Sequence, residues 1–301
     1  MIRRAHSFVL LAGLSPWVAA CRDAAQAKAT ELQAVEGARK QELARRLGKA
    51  DTNPEKPAPL AQWVMPPELR EISGLTLTTR STVLTHDDNV ARVYEIDPKT
   101  GILLKGFSLE GGVRGDFEAI TVAGTDVYLL ESKGKFYRFK EGADAAQVPY
   151  SVYDTKLGKE CEFESMVYEA DSTRLVTVCK KIRGKNAQHE ILIYRFPMPL
   201  DRATMSTLSV PIEDVAGSNK WKDFHPSDIT IDPITKNYVM ISSREKGLLV
   251  MTPDGDVVRS GPLPGDHRQP EGVAITRDSL LLISDEANVR PAAITLYRWR
   301  P

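Results

Sequence analysis

Five short stretches decide the fold: Ile72-Ser73-Gly74-Leu75, Phe117-Glu118-Ala119-Ile120, Phe163-Glu164-Ser165-Met166, Pro226-Ser227-Asp228-Ile229 and Pro270-Glu271-Gly272-Val273. Counted from the second residue of each, the intervals are 45, 46, 63 and 44 residues, a period near 45 with one insertion in the third unit. Each stretch opens a short β run, followed by a turn, a second apolar run, a polar pair and a third run. In the second unit these are Ala119–Val122, Asp126–Leu130, Glu131-Ser132 and Lys135–Phe139; the fourth adds the turn Thr252-Pro253-Asp254-Gly255 and another strand from Val257. Four short antiparallel strands in such a period describe a propeller blade, whose sheet buries both faces against its neighbours. The expected fold is all-β, a five-bladed β-propeller over residues 57–301. The fifth unit ends one strand short at Pro301, and the spare strand is Leu60–Met65. It is expected to close the ring beside Ile294–Trp299, bringing Trp63 near Trp299.

Upstream of the ring, Arg3 and Arg4 precede an apolar run from Phe8 to Ala20, which has the length of a secretory signal and is too short to span a bilayer. It closes on Val18-Ala19-Ala20-Cys21, which resembles the bacterial lipobox. Residues 1–20 are therefore expected to be a cleaved signal peptide and Cys21 the lipidated N-terminus. Arg22 follows the cysteine where inner-membrane retention favours Asp, so the expected location is the outer membrane, facing the periplasm. Residues 22–49 are rich in Ala, Glu, Lys, Arg and Gln and read as a solvated helical spacer, ended by the Pro-rich run Asp51–Pro59. The spacer as a whole covers residues 21–56.

The 301 residues carry 40 basic and 40 acidic side chains with 42% hydrophobic residues, which excludes disordered and nucleic-acid-binding classes. No GxSxG elbow, P-loop or GxGxxG occurs, so serine-hydrolase, nucleotidase and dinucleotide chemistry lack their usual signals. Cys161 and Cys179 flank the first two strands of the third blade, and an exported chain could bridge them. A tight turn at Asp171-Ser172 would set Glu164 opposite Cys179, so the bridge needs a bulge.

In a propeller the start of each innermost strand and the end of its neighbour meet on one face of the ring. The first set is Ser73, Glu118, Glu164, Asp228 and Glu271; the second is Asp87, Asp88, Glu131, Lys180, Arg244, Asp285 and Glu286. Carboxylates converging on one axis repel unless a cation, a proton or basic side chains compensate them. Their hard oxygens suit Ca²⁺ or Mg²⁺. The primary metal candidates are Glu118, Glu164, Glu271 and Asp285, with Asp87, Glu131, Asp228 and Glu286 beside them. Equally, such carboxylates can accept backbone N–H bonds and stitch blades together with no ligand. Trp221 and Phe224, in the run Asn219–His225, are placed either to rim a ligand or to pack on the edge.

The openings also resemble those of the SdiA-regulated family of bacterial envelope β-propellers, on Glu71-Ile72-Ser73-Gly74-Leu75, Asp116-Phe117-Glu118-Ala119-Ile120 and Gln269-Pro270-Glu271-Gly272-Val273-Ala274-Ile275, which leads to Leu282-Ile283-Ser284-Asp285-Glu286. Phytase-like and gluconolactonase-type propellers use related turns. This chain departs from the pattern at Ala119, Ser165 and Ser227-Asp228. The resemblance implies the fold, an envelope location and a cation in the channel, and implies no reaction. The favoured function is a monomeric, lipid-anchored protein binding a small molecule or an envelope protein at an acidic mouth. The alternative is a metal-dependent hydrolase of phosphoesters or lactones, with His225, Lys180 or Arg244 stabilising developing charge and Asn89 or Asn288 as the mouth's asparagine ligand.

Overall fold

The computed structural model describes residues 16–52, 57–183 and 189–301, with side chains from residue 26 to 50 in the first stretch. Residues 1–15 of the expected signal and the side chain of Cys21 lie outside the described residues. The rest forms five antiparallel sheets in a ring, with inner strands Ile72–Leu77, Phe117–Ala123, Cys161–Glu169, Asp228–Ile231 and Pro270–Ile275. These open blades 1 to 5, and each inner strand touches the next, the fifth returning to the first. Blade 1 also carries the two-residue strand Gln147–Val148, parallel to its outer strand.

The ring closes as its strand count demands. Ala61–Val64 is the outer strand of blade 5, paired with Ala293–Arg298 from Ala61 opposite Leu296 to Val64 opposite Ala293. The expected meeting of Trp63 with Trp299 does not occur, because successive side chains alternate across a sheet. Trp63 lies on the face turned to blade 1 and donates to the Pro98 carbonyl. Trp299 lies on the face turned to blade 4 and donates to Asp232.

Five apolar clusters fill the five interfaces between neighbouring blades, which is why the strands read as near-continuous apolar runs. Towards the axis the inner strands approach so closely that only small residues fit. A Cβ on Gly272 would stand 2.3 Å from Ser284 Oγ and 3.1 Å from the Leu75 amide, and one on Gly74 would stand 3.3 Å from Ala119 Cα. The inner strands of blades 1, 2, 3 and 5 each break register at the opening. Such a bulge re-aims a side chain, and here the residue passed over is the opening one. In blade 3 the same irregularity supplies the offset that the cysteines need: Phe163 pairs with Cys179, and Cys161 and Cys179 form a disulfide across 5.6 Å between their Cα atoms.

The N-terminal helix spans Pro16–Thr52, and no described helix is long and apolar enough to cross a membrane. It is solvated only in part. Leu32 and Val35 are exposed, but Leu43 is buried, and Leu47 and Ala50 pack with it on the cluster between blades 5 and 1. Arg39 donates to the Thr100 carbonyl and lies 5.2 Å over the Trp63 ring, Arg46 donates to the Leu60 carbonyl, and Arg300 donates to that of Ala50. The expectation of a free spacer therefore fails over its second half, where sparse leucines at helical spacing form a docking stripe. Thr100 and Arg300 lie at the strand ends remote from the blade openings, so the helix grips the side opposite the mouth.

Deleting Leu60–Met65 removes the buried Leu60, Ala61 and Met65 and uncovers the edge of Ala293–Arg298. Side-chain burial alone is worth several kcal/mol, so the melting temperature should fall by roughly 10 °C or more. A scan by circular dichroism checks this, and an unchanged transition would contradict ring closure by this strand.

Candidate functional site

The blade openings and the ends of the second strands meet on one face, as the pairs Phe117–Glu131, Glu162–Lys181 and Pro270–Asp285 require. At its centre is a polar cavity of about 180 Å³. Glu118, Glu164 and Glu271 reach it from blades 2, 3 and 5, each from a bulged opening. Lys180 enters from the second strand of blade 3, its Nζ 2.7 Å from Glu164 Oε1. On the side of blades 1 and 5 the wall is Glu71, Ser73, Asp88, Gln269 and Glu286.

This wall holds more negative charge than its one lysine can balance, and protons make up the difference. Burial, then the charges of Glu164 and Asp116, push the Glu118 carboxyl up to about 9. Burial raises Glu164 to about 7 although Lys180 pulls it down, and raises Glu271 against Lys180 and the Ser243 hydroxyl. Lys180, which burial alone would lower, is held above its ordinary value by Glu164, Glu271 and Glu118. Burial and a shared hydrogen bond with Glu71 raise Glu286 to about 8, and burial with Glu71 and Asp87 raises Asp88 to about 6. Glu71, Asp88 and Glu286 can each present one oxygen with all three within 4.8 Å of one another. Carboxylate oxygens alone make a hard donor set, fitting Ca²⁺ or Mg²⁺ and not a softer metal.

Other expected residues are drawn elsewhere by local partners. Asp87 Oδ1 accepts from the amides of Asn89 and Val90 at 2.9 and 3.0 Å, closing its own turn. Glu131 accepts from the Tyr137 hydroxyl at 3.0 Å and pairs with Lys135 at 3.2 Å. Asp285 is bound to His267 Nδ1 at 2.5 Å and to the Gln269 amide at 3.0 Å, and His267 Nε2 meets the Tyr297 hydroxyl at 2.9 Å. Asp228 lies beneath the cavity, fully buried, its oxygens accepting from the amides of Val273, Leu75 and Ile229 at 2.7, 3.2 and 2.8 Å.

His225 and Arg244 form a separate cluster on blade 4, with His225 Nδ1 2.9 Å from Glu245 and its Nε2 3.2 Å from Arg244; neither lines the cavity. Trp221 and Phe224 pack against each other at 5.4 Å, their rings tilted by 46°, and against Gly247, with Phe224 in the core, so they do not rim the cavity. Asn89 donates to Asp88, and Asn288 to Gln269 Oε1 at 3.2 Å.

Three participants escaped the sequence argument: Glu71, Gln269 and His267. Glu71 and Gln269 stand two residues before the openings at Ser73 and Glu271, and a period of two puts such residues on the same face. That signal was present in the sequence. Nothing local marks His267, which reaches Asp285 from a connecting loop.

With this geometry in hand, the chain can be set beside known proteins. Residues 213–298 match the model of the SdiA-regulated family. The match covers blades 4 and 5 and includes Glu271, Asp285 and Glu286. No curated protein sequence matches the chain. Among solved structures, the PQQ-bound aldose sugar dehydrogenase from Streptomyces coelicolor is similar with a TM-score of 0.54 and 12% identity, over 81% of this chain and 98% of that one. The glutaminyl cyclase of Myxococcus xanthus gives 0.53 and 8%, over 80% and 95%, and virginiamycin B lyase from Staphylococcus aureus gives 0.44 and 12%, over 78% and 69%. At such identities the first two likenesses speak for the fold alone.

The protonated cavity makes stability depend on pH with a definite sign. Glu118 titrates near 9 in the folded chain and near 4.3 when unfolded, so its neutral form is stabilising at low pH and that stability is lost as pH rises towards 9. Glu118→Gln keeps the neutral shape without the proton. It should leave stability unchanged at pH 4 and raise it by up to about 5 kcal/mol at pH 8, measured by urea unfolding at both values; equal effects at the two would show that Glu118 is an ordinary carboxylate.

Proposed function

We propose that the protein is a ligand-binding propeller of the bacterial cell envelope whose axial cavity takes a divalent hard cation, Ca²⁺ or Mg²⁺, and through it an anionic small molecule or envelope partner. The observation that carries this is the convergence of Glu118, Glu164 and Glu271 from three blades on one cavity, with Glu71, Asp88 and Glu286 beside them. Burial keeps these carboxyls partly protonated, so a cation enters by displacing protons. Lys180, the cavity's one cationic side chain among the described residues, offers an anion a second point of attachment.

Binding is favoured over metal-dependent hydrolysis because two of the three side chains suited to stabilising a developing charge, His225 and Arg244, are held by Glu245 and each other outside the cavity. The envelope assignment rests on the signal-like N-terminus and Cys21, as a lipoprotein of the outer membrane facing the periplasm. The helix supports it, since it docks on the side opposite the mouth and a tether there leaves the cavity uncovered.

Calorimetric titration of the full-length chain with CaCl₂ and MgCl₂, in buffers of different ionisation enthalpy, tests the proposal. The expected result is one saturable site releasing about one proton per ion at pH 7, and weaker binding at pH 5.5. Glu271→Gln and Glu286→Gln should each weaken it at least about tenfold, a loss of about 1.4 kcal/mol. No heat with either ion would overturn the cation site. Turnover of phosphoester or lactone substrates that EDTA and Glu271→Gln both abolish would replace binding by hydrolysis.

A further inference from the structure

A second cavity lies outside the mouth, between blades 4 and 5. It measures about 430 Å³, within the range of sites for organic ligands, and its floor is Leu248, Leu263 and Leu281. Its walls are the outer strand of blade 4, Val257–Pro262, the end of blade 5 at Tyr297 and Trp299, and Ala50, Pro57 and Ala58. It exists because the closing strand Ala61–Val64 pairs with the third strand only as far as Leu296, so residues 297–299 have no outer neighbour in the ladder. Opposite them stands Gly261, where an added Cβ would meet nothing within 4 Å and the backbone would suffer no left-handed strain. At the corresponding position facing blade 3, by contrast, the Ser260 hydroxyl is bonded to Asn219 at 3.0 Å.

Among the described residues the charged side chains lining this cavity are Arg259, Arg298 and Arg300. Arg259 lies over the Trp299 ring at 4.8 Å and donates to the Arg300 carbonyl at 2.7 Å; Arg300 in turn donates to the Ala50 carbonyl at 3.0 Å. Among the described residues Arg259 and Arg300 bond to main-chain carbonyls and form no salt bridge. Asp232 acts on Arg259 as a compensating charge, and it also accepts from the Trp299 indole N–H. The Tyr297 hydroxyl is engaged by His267 and pushed up to about 12 by burial and Asp285, so it adds no negative charge. An apolar floor, an aromatic wall and, among the described residues, two guanidinium groups bonded only to main-chain carbonyls suit an apolar body bearing one anionic head.

We propose that this cavity is a binding site for small amphipathic anions, an aliphatic or aromatic body with a carboxylate or sulfonate placed against Arg259 and Arg300. It is independent of the cation site, since no side chain lines both cavities. The same chemistry is offered by a free acid and by the acyl chain and headgroup of an anionic lipid.

The probe is 1-anilinonaphthalene-8-sulfonate, an apolar sulfonate whose fluorescence rises on desolvation, titrated into the native full-length chain. One saturable site is expected, emptied by decanoate but not by decyltrimethylammonium. Dioctanoyl phosphatidate competing more strongly than decanoate would identify lipid as the source, and the reverse a free acid. Gly261→Phe, which fills the open space, and Arg259→Gln, which keeps a polar hydrogen-bonding end and loses the charge, should each weaken the probe at least tenfold while Ca²⁺ titration and the melting transition stay as in the parent. Absent or non-saturable fluorescence would overturn the site, as would equal displacement by the cationic amphiphile or undiminished binding to a folded Gly261→Phe.

Discussion

The carboxylate of Asp228 is the interaction on which the axis depends. It belongs to blade 4, yet its Oδ2 accepts from Val273 of blade 5 and from Leu75 of blade 1, while Oδ1 accepts from the Ile229 amide. Three inner strands thereby meet on one side chain. Burial pushes this carboxyl well above its ordinary value while the three N–H groups pull it down. The donors sit where inward-facing strand ends would otherwise leave amides unsatisfied, and such orphans cost about as much as a lost hydrogen bond. Asp228 therefore fixes how closely the inner strands can approach, and the cavity above it inherits its dimensions from that approach.

Two uses of an opening carboxylate were open from the sequence, stitching blades together and facing a ligand, and the molecule uses both on different residues. The inner strand of blade 4 pairs with its neighbour without a register break, and its Asp228 turns into the backbone. Blades 2, 3 and 5 carry bulges, and their glutamates turn to the cavity. What separates the two is one extra residue in the ladder, which moves a side chain from one face to the other. A period of about 45 residues shows that the openings correspond, but a one-residue bulge leaves no mark in that period. The fold was thus legible from spacing, and the first ring of site residues nearly so.

The second ring was legible only in part, for a different reason. Asp88, Lys180 and Glu286 stay at the cavity, while Asp87, Glu131 and Asp285 are taken by turn amides, a tyrosine and a histidine. Those partners come from turns and loops whose course the strand pattern does not specify. The docked helix teaches the same lesson at lower resolution. Leu43 and Leu47 are too sparse for a conventional amphipathic face, and they find a partner only because ring closure leaves the outer side of blades 5 and 1 apolar.

Net charge is the feature most easily misread. Equal totals of 40 acidic and 40 basic side chains describe a neutral surface only if the charges mix. Away from the mouth they do: Lys99 pairs with Asp278, Lys140 with Asp126, and Arg80 and Lys105 share Glu95 and Glu141. At the axis they do not, and the imbalance is met by protons on Glu118, Glu164 and Glu286. Gathering like charges in a buried cavity costs stability that an apolar plug would not. The ring can bear that cost because an apolar cluster packs each of its five interfaces, and because the N-terminal strand joins the last blade to the first. Such tension between a site and its own scaffold is expected where residues are kept for something other than stability, and here it is localised on side chains that the backbone has been bulged to present.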